Sequence, residues 1–470
     1  MTRVVVIGAY GSAGVAVADA LADEPGVELT LVDNGNPGGG LCILRGCMPS
    51  KDVFSAGAHR YQARADDRLD GTPAVDLEAV VERKNEHVAN FARHRRSAVD
   101  KLADRDSVEF YHETATLVDH DGDGHAVRIG ERVVEADYVV VATGSEPNVP
   151  DIPGIDDVEY LTSADVLDAT EFGDSGIVVG FGYVGLEMAP YLAEVGDVDL
   201  TVIEHDRRPL DEADDPFGDA LLDRYREAFG IDVRTDTREL SLAPAGPDGD
   251  GGVELAVERG DERETITADQ LFVFAGRRPA LDGLGLEAAS LDPGPDWVDA
   301  TMQARGDDRV FVVGDANGRE PILHVAKEQA GVAAENVLWH REGKSLRQYE
   351  NVHHHVVFSG LAVYPFARVG HSAASAEAAG IDHVAVTREA RQDGVFATKG
   401  HPEGLARLVV GTDGTVLGYQ GLHYHADVMA KTMQVVVESE MDVREIPDRA
   451  YHPTTPEIID GLLREAEREL

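Results

Sequence analysis

The segment GGGLCILRGCMPSKD, residues 38–52, holds both cysteines of the chain, Cys42 and Cys47, with four residues between them. Paired thiols serve as structural crosslinks, as metal ligands or as a reversible redox couple. A 470-residue chain that is 43% hydrophobic can bury several cores without a crosslink, and disulfide frameworks belong to short, cysteine-dense chains. A structural zinc site needs four ligands, and no second CxxC or His/Cys cluster completes one; the run His353, His354, His355 has no cysteine near it in sequence. No metal is expected. In an ideal helix, residues five apart lie about 8–9 Å apart at Cα, whereas a disulfide tolerates about 7 Å. A bridging pair therefore needs distorted backbone, and Gly46 and Pro49 supply the means, Pro49 suiting the first turn of a regular helix. Cys47 would then stand at a helix N-terminus, where partial positive charge stabilises a thiolate. A reactive redox pair explains this spacing better than a crosslink.

The elements that must position these thiols are legible around them. RVVVIG (3–8) is a short apolar run ending in glycine, the pattern of a parallel strand buried on both faces. A helical stretch follows, and VELTLVD (27–33) is a second strand closed by Asp33. This is a βαβ opening with glycines at its first turn and an acid further on. The same grammar returns at 176–206, where Gly180, Gly182 and Gly185 have full GxGxxG spacing and Glu204 follows the next strand. Glu204 should bond an adenosine ribose and repel a 2′-phosphate, favouring NADH; Arg207 and Arg208 nearby keep NADPH open. The first motif is irregular, with Gly8, Gly11 and Gly14 one residue wider than usual, which is read as an insertion near Tyr10. Strands at 136–147 and 268–279 each run into a glycine turn and a proline, and RVFVVGDANG (309–318) ends in Gly314 and Asp315. After about residue 346 the pattern becomes that of an antiparallel sheet with helices.

The expected architecture is α/β, with two Rossmann-like dinucleotide-binding domains and a C-terminal α+β domain. The expected boundaries are 1–150 for the first part of the first domain, 151–278 for the second, 279–348 for the remainder of the first and 349–470 for the last. The charge is extreme, with 87 acidic against 42 basic residues and a net charge of −45. Such a surface repels nucleic acid and anionic membrane, so neither is an expected partner. Only seven of the basic residues are lysine, and scattered excess carboxylate is a halophile's way of staying soluble. No signal segment or membrane-spanning run is read, and a cytoplasmic location is expected.

Taken together, GGGLCILRGCMPSK, ATGSEP, GYVGLE, FAGRRP, VFVVGDANG and YHPTTPE resemble the pyridine nucleotide-disulfide oxidoreductases, the family of dihydrolipoamide dehydrogenase, glutathione reductase and mercuric reductase. The resemblance covers essentially the whole chain. It implies FAD on the first unit, with Asp33 at the adenosine ribose, Gly8, Gly11 and Gly14 around the pyrophosphate, and Asp315 on the ribityl chain. Gly40, Ala115, Thr143, Gly144, Gly314 and His324 would also line FAD. It implies that Cys47 faces the flavin, that Cys42 exchanges with substrate and that Lys51 pairs with Glu187 beside the flavin. NAD, or alternatively NADP, would lie on Gly180, Gly182, Gly185, Glu187, Glu204 and Gly276, with Tyr183 covering the nicotinamide pocket. His452 would move the proton of the leaving thiol, oriented by Glu457, and would reach the cysteines of the other subunit of a homodimer with a shared active site. The substrate would be a small or lipoyl-bound dithiol or disulfide. The first choice is dihydrolipoamide; the alternative is a low-molecular-weight disulfide such as bis-γ-glutamylcystine or glutathione disulfide, or mercuric reductase-like chemistry. Two departures stand out. Leu41 and Leu44 occupy positions where many relatives have threonine and asparagine, which removes local polar contacts to the flavin. No cysteine is found in the tail, and no lipoyl or heavy-metal domain is expected before residue 1.

Overall fold

The structure is a computed structural model and describes residues 1–246 and 251–470. It divides into two compact units. One comprises Met1–Ser50, Glu82–Asn148 and Arg277–Asn351; the other comprises Lys51–Val81, Val149–Gly276 and Val352–Leu470.

The first unit is built on a six-stranded sheet in the order Gln303–Ala304, Asp307–Val312, Tyr138–Val141, Thr2–Ile7, Val27–Val32, Val108–Tyr111. All its pairings are parallel except the antiparallel edge pair. The continuous apolar run 4–7 of strand Thr2–Ile7 follows from this position, because that part of the strand is covered on both faces. Val4 and Val6 pack with Val17, Leu21, Ala330 and Ala333, from helices Ser12–Leu21 and Leu323–Arg341. Val5 and Ile7 pack against Leu117 and Val127 of a three-stranded antiparallel sheet, Ala115–Val118, His125–Ile129 and Arg132–Ala136. Each such fully buried valine contributes about 1.5–3 kcal/mol.

The second unit repeats the theme with a four-stranded parallel sheet in the order Asp232–Arg234, Asp199–Ile203, Ser175–Val179, Gln270–Val273. Val178 faces one core, with Leu186, Leu192 and Tyr225; Ile177 and Val179 face another, with Leu255 and Val257 of an antiparallel three-stranded sheet. Its C-terminal part is a five-stranded antiparallel sheet in the order His354–Val357, Phe366–Gly370, Val416–His423, Gly404–Gly411, His383–Glu389. Helices Ala426–Glu438 and Glu457–Glu469 cover that sheet through Met429, Met433, Ile458 and Leu462. The fold is thus α/β with two Rossmann-like sheets and a C-terminal α+β part. No helix among the described residues is long and apolar enough to cross a membrane.

Candidate functional site

The cysteine segment is a broken helix. Leu41–Leu44 forms one turn, Arg45 leaves it at φ −144° and ψ 14°, and a second helix starts at Cys47 and runs to Ala65. The break does what an unbroken helix could not, folding the second thiol back beside the first. Gly46 permits it, because a Cβ there would lie 3.1 Å from the Cys42 Cα. Cys42 is half-buried, Cys47 is exposed, and both are thiols here. The hydrogen bond between them, followed by burial and the negative charge that Cys47 can carry, pushes the Cys42 thiol far up. The shift favours the protonated form of Cys42, while Cys47 is the first residue of its helix, a position where the helix N-terminus favours a thiolate.

The glycine loop of the first unit sits next to this segment. Gly11 and Gly182 are each the N-cap of a helix. A Cβ on Gly14 would lie 2.1 Å from the Gly8 carbonyl oxygen, and one on Gly185 would lie 2.4 Å from that of Gly180. The two motifs are therefore equivalent, and the extra residue of the first lies between its first and second glycines. Gly40, at φ +76°, brings the GGG turn within reach of this loop, since a Cβ there would be 2.8 Å from Tyr10 O. The inserted Tyr10 is buried. Its N–H donates to Asp33 Oδ2 at 2.8 Å, and the Gly35 N–H donates to Asp33 Oδ1 at 2.8 Å. Asp33 thus holds two turns in place through both carboxylate oxygens.

Further along the same unit, Asp315 Oδ2 accepts from Ser145 Oγ at 2.6 Å, and Arg277 Nε donates to the same hydroxyl at 2.8 Å. Gly144 and Gly314 are at φ +73° and +69°. Thr143 Oγ1 is buried with no hydrogen-bond partner, an unsatisfied group that costs about 1–3 kcal/mol unless something completes it. Together with a loop in which side chains are excluded at Gly8, Gly14 and Gly40, this fits a bound dinucleotide. Ala115 is buried at the start of its strand, and His324 is half-buried in the first turn of Leu323–Arg341.

In the second unit, Lys51 Nζ lies 2.6 Å from Glu187 Oε2, and Glu187 Oε1 accepts the Phe358 N–H at 2.9 Å. Tyr183 opens helix Tyr183–Glu194, with its ring 4.2 Å edge-on from His355, whose Nδ1 is 3.4 Å from Glu212 Oε1. Burial pushes Glu212 up, but the close approach of His355 outweighs it and leaves the carboxyl below its usual range. Glu204 follows the strand Asp199–Ile203, accepts the Asp206 N–H at 2.8 Å, and is pushed up by burial. Arg208, by contrast, is bound to Asp219 at 2.5 Å and Asp215 at 3.1 Å. Gly276, at φ +84°, follows the strand Gln270–Val273.

His452 Nδ1 faces both carboxylate oxygens of Glu457, at 3.1 and 3.2 Å, and the Thr454 N–H donates to Glu457 Oε1 at 2.9 Å. A carboxylate facing Nδ1 orients the ring and favours the tautomer with its hydrogen on that nitrogen. The imidazole is 81% exposed. Among the described residues no group of three or more His, Cys, Asp or Glu could hold a metal ion.

Two features escaped the sequence reading: the His355–Glu212 support under Tyr183, and Arg95. Arg95 Nη1 donates to Tyr10 O at 2.6 Å, and Nη2 is 3.5 Å from Ser12 Oγ. The only signal for it was an Arg-Arg pair within a helical stretch of a very acidic chain.

The sequence model of a family described as pyridine nucleotide-disulphide oxidoreductase matches residues 2–330, and the dimerisation domain of that name matches residues 355–462. Dihydrolipoyl dehydrogenase of Halobacterium salinarum is 29% identical over 480 residues, covering 97% of this chain and 94% of the relative. Mercuric reductase of Streptomyces lividans is 30% identical over 339 residues, 69% of this chain and 68% of the relative. Among solved structures, the HOCl-induced flavoprotein disulfide reductase RclA from Escherichia coli superposes with TM-score 0.81 at 21% identity, over 99% of both chains. LpdA from Mycobacterium tuberculosis gives TM-score 0.83 at 22% identity, also over 99% of both. At those identities the likeness establishes the fold.

Proposed function

The chain belongs to the pyridine nucleotide-disulphide oxidoreductase family, whose members use FAD and NAD(P), and from that premise we propose a dihydrolipoamide dehydrogenase-like reaction. Two electrons pass between NAD(H) and a dithiol or disulfide substrate by way of the Cys42/Cys47 pair. The observation that carries this reading is the hydrogen-bonded thiol pair across a helix break, with Cys47 at a helix start. FAD, when bound, supplies the two-electron exchange between nicotinamide and disulfide.

The roles follow from the geometry of the chain. His452 takes the proton of Cys42, whose sulfur attacks the substrate disulfide to form a mixed disulfide, and returns that proton to the thiolate released. The Cys47 thiolate then attacks the Cys42 sulfur, the second substrate sulfur leaves as a thiolate that takes its proton from solvent, and the internal disulfide closes; the opposite direction runs these steps backwards. Glu457 holds His452 in the required tautomer. Lys51, paired with Glu187, places a fixed positive charge, and Glu204 selects NADH. Gly11, Gly14 and Gly40 cradle the flavin pyrophosphate, and Asp33, Thr143 and Asp315 hold the rest of FAD. Gly180, Gly182, Gly185 and Gly276 seat the nicotinamide cofactor under Tyr183. The exposure of His452 supports a homodimer in which each imidazole serves the partner's thiols, and the match to a dimerisation domain supports it further. We place the protein in the cytoplasm.

The relatives named mercuric reductase favour a second reading, reduction of another soft thiol-binding substrate. This chain has two cysteines, both in the redox segment, so no further pair is at hand to pass a metal ion inward. The test is a steady-state panel of lipoamide, bis-γ-glutamylcystine, glutathione disulfide and Hg(II), with NADH and NADPH, in high salt. Lipoamide with NADH should give the highest kcat/KM. Turnover of another substrate with none of lipoamide would reject the assignment.

A further inference from the structure

Arg95 is a half-buried guanidinium that pairs with no carboxylate among the described residues, in a chain with 87 acids. Its pKa is lowered by burial, which outweighs the charge of Cys42 and of Asp19. Nη1 donates to the Tyr10 carbonyl at 2.6 Å, and Nη2 stands 3.5 Å from Ser12 Oγ, in the first turn of the helix that Gly11 caps. Burying such a cation without a counter-ion is costly. The next residue, Arg96, donates to Gly38 O at 3.3 Å, so two guanidiniums brace the two glycine turns that approach one another at Gly40.

We infer that Arg95 binds the pyrophosphate of FAD, supplying the counter-charge at a loop whose usual polar neighbour is replaced by Leu41. The counter-ion missing from the protein is then the cofactor's own anion, and the forked guanidinium can keep one N–H on Tyr10 while others reach phosphate oxygens. The insertion at Tyr10 acquires a reason: it turns a carbonyl out of the loop to anchor Arg95. The inference rests on the flavin reading of the glycine loop given above.

The experiment measures FAD release from purified holoprotein by recovery of flavin fluorescence on dilution, for wild type, Arg95→Lys and Arg95→Gln, with the melting of each variant followed by circular dichroism. Glutamine keeps a donor for Tyr10 O and loses the charge; lysine keeps the charge. Arg95→Gln should release FAD about ten- to a hundred-fold faster, with Arg95→Lys much closer to wild type. Equal effects of the two substitutions would reduce Arg95 to a loop brace and overturn the inference, as would unchanged release. Phenylglyoxal labelling of wild-type protein mapped by peptide provides a check that needs no variant. Arg95 should be protected in holoprotein and labelled after flavin removal, with ADP but not adenosine restoring protection, and labelling indifferent to ADP would overturn the inference. Wild-type protein that neither carries nor takes up FAD would instead sink the flavin reading itself.

Discussion

The ammonium of Lys51 lies 2.6 Å from Glu187 Oε2, although 136 residues separate them, and it sits 4.5 Å from the Phe358 ring centroid. The backbone N–H of Phe358 binds the other carboxylate oxygen, so three distant segments fix one charge. Glu187→Gln keeps the acceptor for Phe358 and removes the counter-charge. We expect NADH-driven disulfide reduction to fall on the order of 10²-fold while stability drops only ~1–3 kcal/mol. Stopped-flow reduction beside a denaturant melt separates the two effects.

The thiols should titrate as a unit. Because Cys47 is the largest cause of the raised Cys42 pKa, Cys47→Ala should bring the Cys42 thiol down and make its iodoacetamide alkylation faster between pH 7 and 9 than in reduced wild type. Slower alkylation would mean that burial, not the partner sulfur, dominates.

His452 and Glu457 form an exposed dyad. His452→Gln should cut turnover with the disulfide or dithiol substrate by about 10² to 10⁴ and leave NADH consumption in the first half-reaction intact. Glu457→Gln should give a smaller loss, since the imidazole loses its orienting carboxylate. Near-normal turnover of the histidine variant would exclude it from proton transfer.

Glu204 is held by the Asp206 N–H, while Arg208 is drawn away by Asp215 and Asp219. The pocket should therefore prefer NADH. Glu204→Gln should narrow the ratio of kcat/KM values for NADH and NADPH by about tenfold or more, and an unchanged ratio would place selectivity elsewhere.

Acid sensitivity should come in part from His423. This imidazole is fully buried, with Nδ1 on Tyr424 O at 3.0 Å and Nε2 on the Tyr419 hydroxyl at 2.9 Å. Burial pushes its pKa down to about 4. The unfolded chain takes up a proton near pH 6.5 that the fold refuses, so stability is complete above pH 6.5 and falls as pH drops towards 4, by up to ~3 kcal/mol. The buried or half-buried His371, His401 and His425 are lowered in the same direction. His423→Asn should flatten the dependence of melting temperature on pH between 6.5 and 4.5; an equally steep slope would assign the effect to other groups.

The sequence by itself determined the features that depend on neighbours along the chain. Val4–Ile7 had to be a doubly covered strand segment because it is apolar at every position. Gly180, Gly182 and Gly185 carried a turn, a cap and a close approach in one short run. Cys42 and Cys47 could meet only through a break that Gly46 makes possible. The tertiary structure decided everything that depends on segments far apart. It gave Glu187 the Phe358 N–H, put His355 under Tyr183, tied Asp33 to Tyr10, and brought Arg95 to the Tyr10 carbonyl. Local pattern reports which face of an element must leave water, because burial acts on each residue in turn. It does not report which charge meets which, because hydrogen bonds and ion pairs are short-ranged and depend on how distant elements dock.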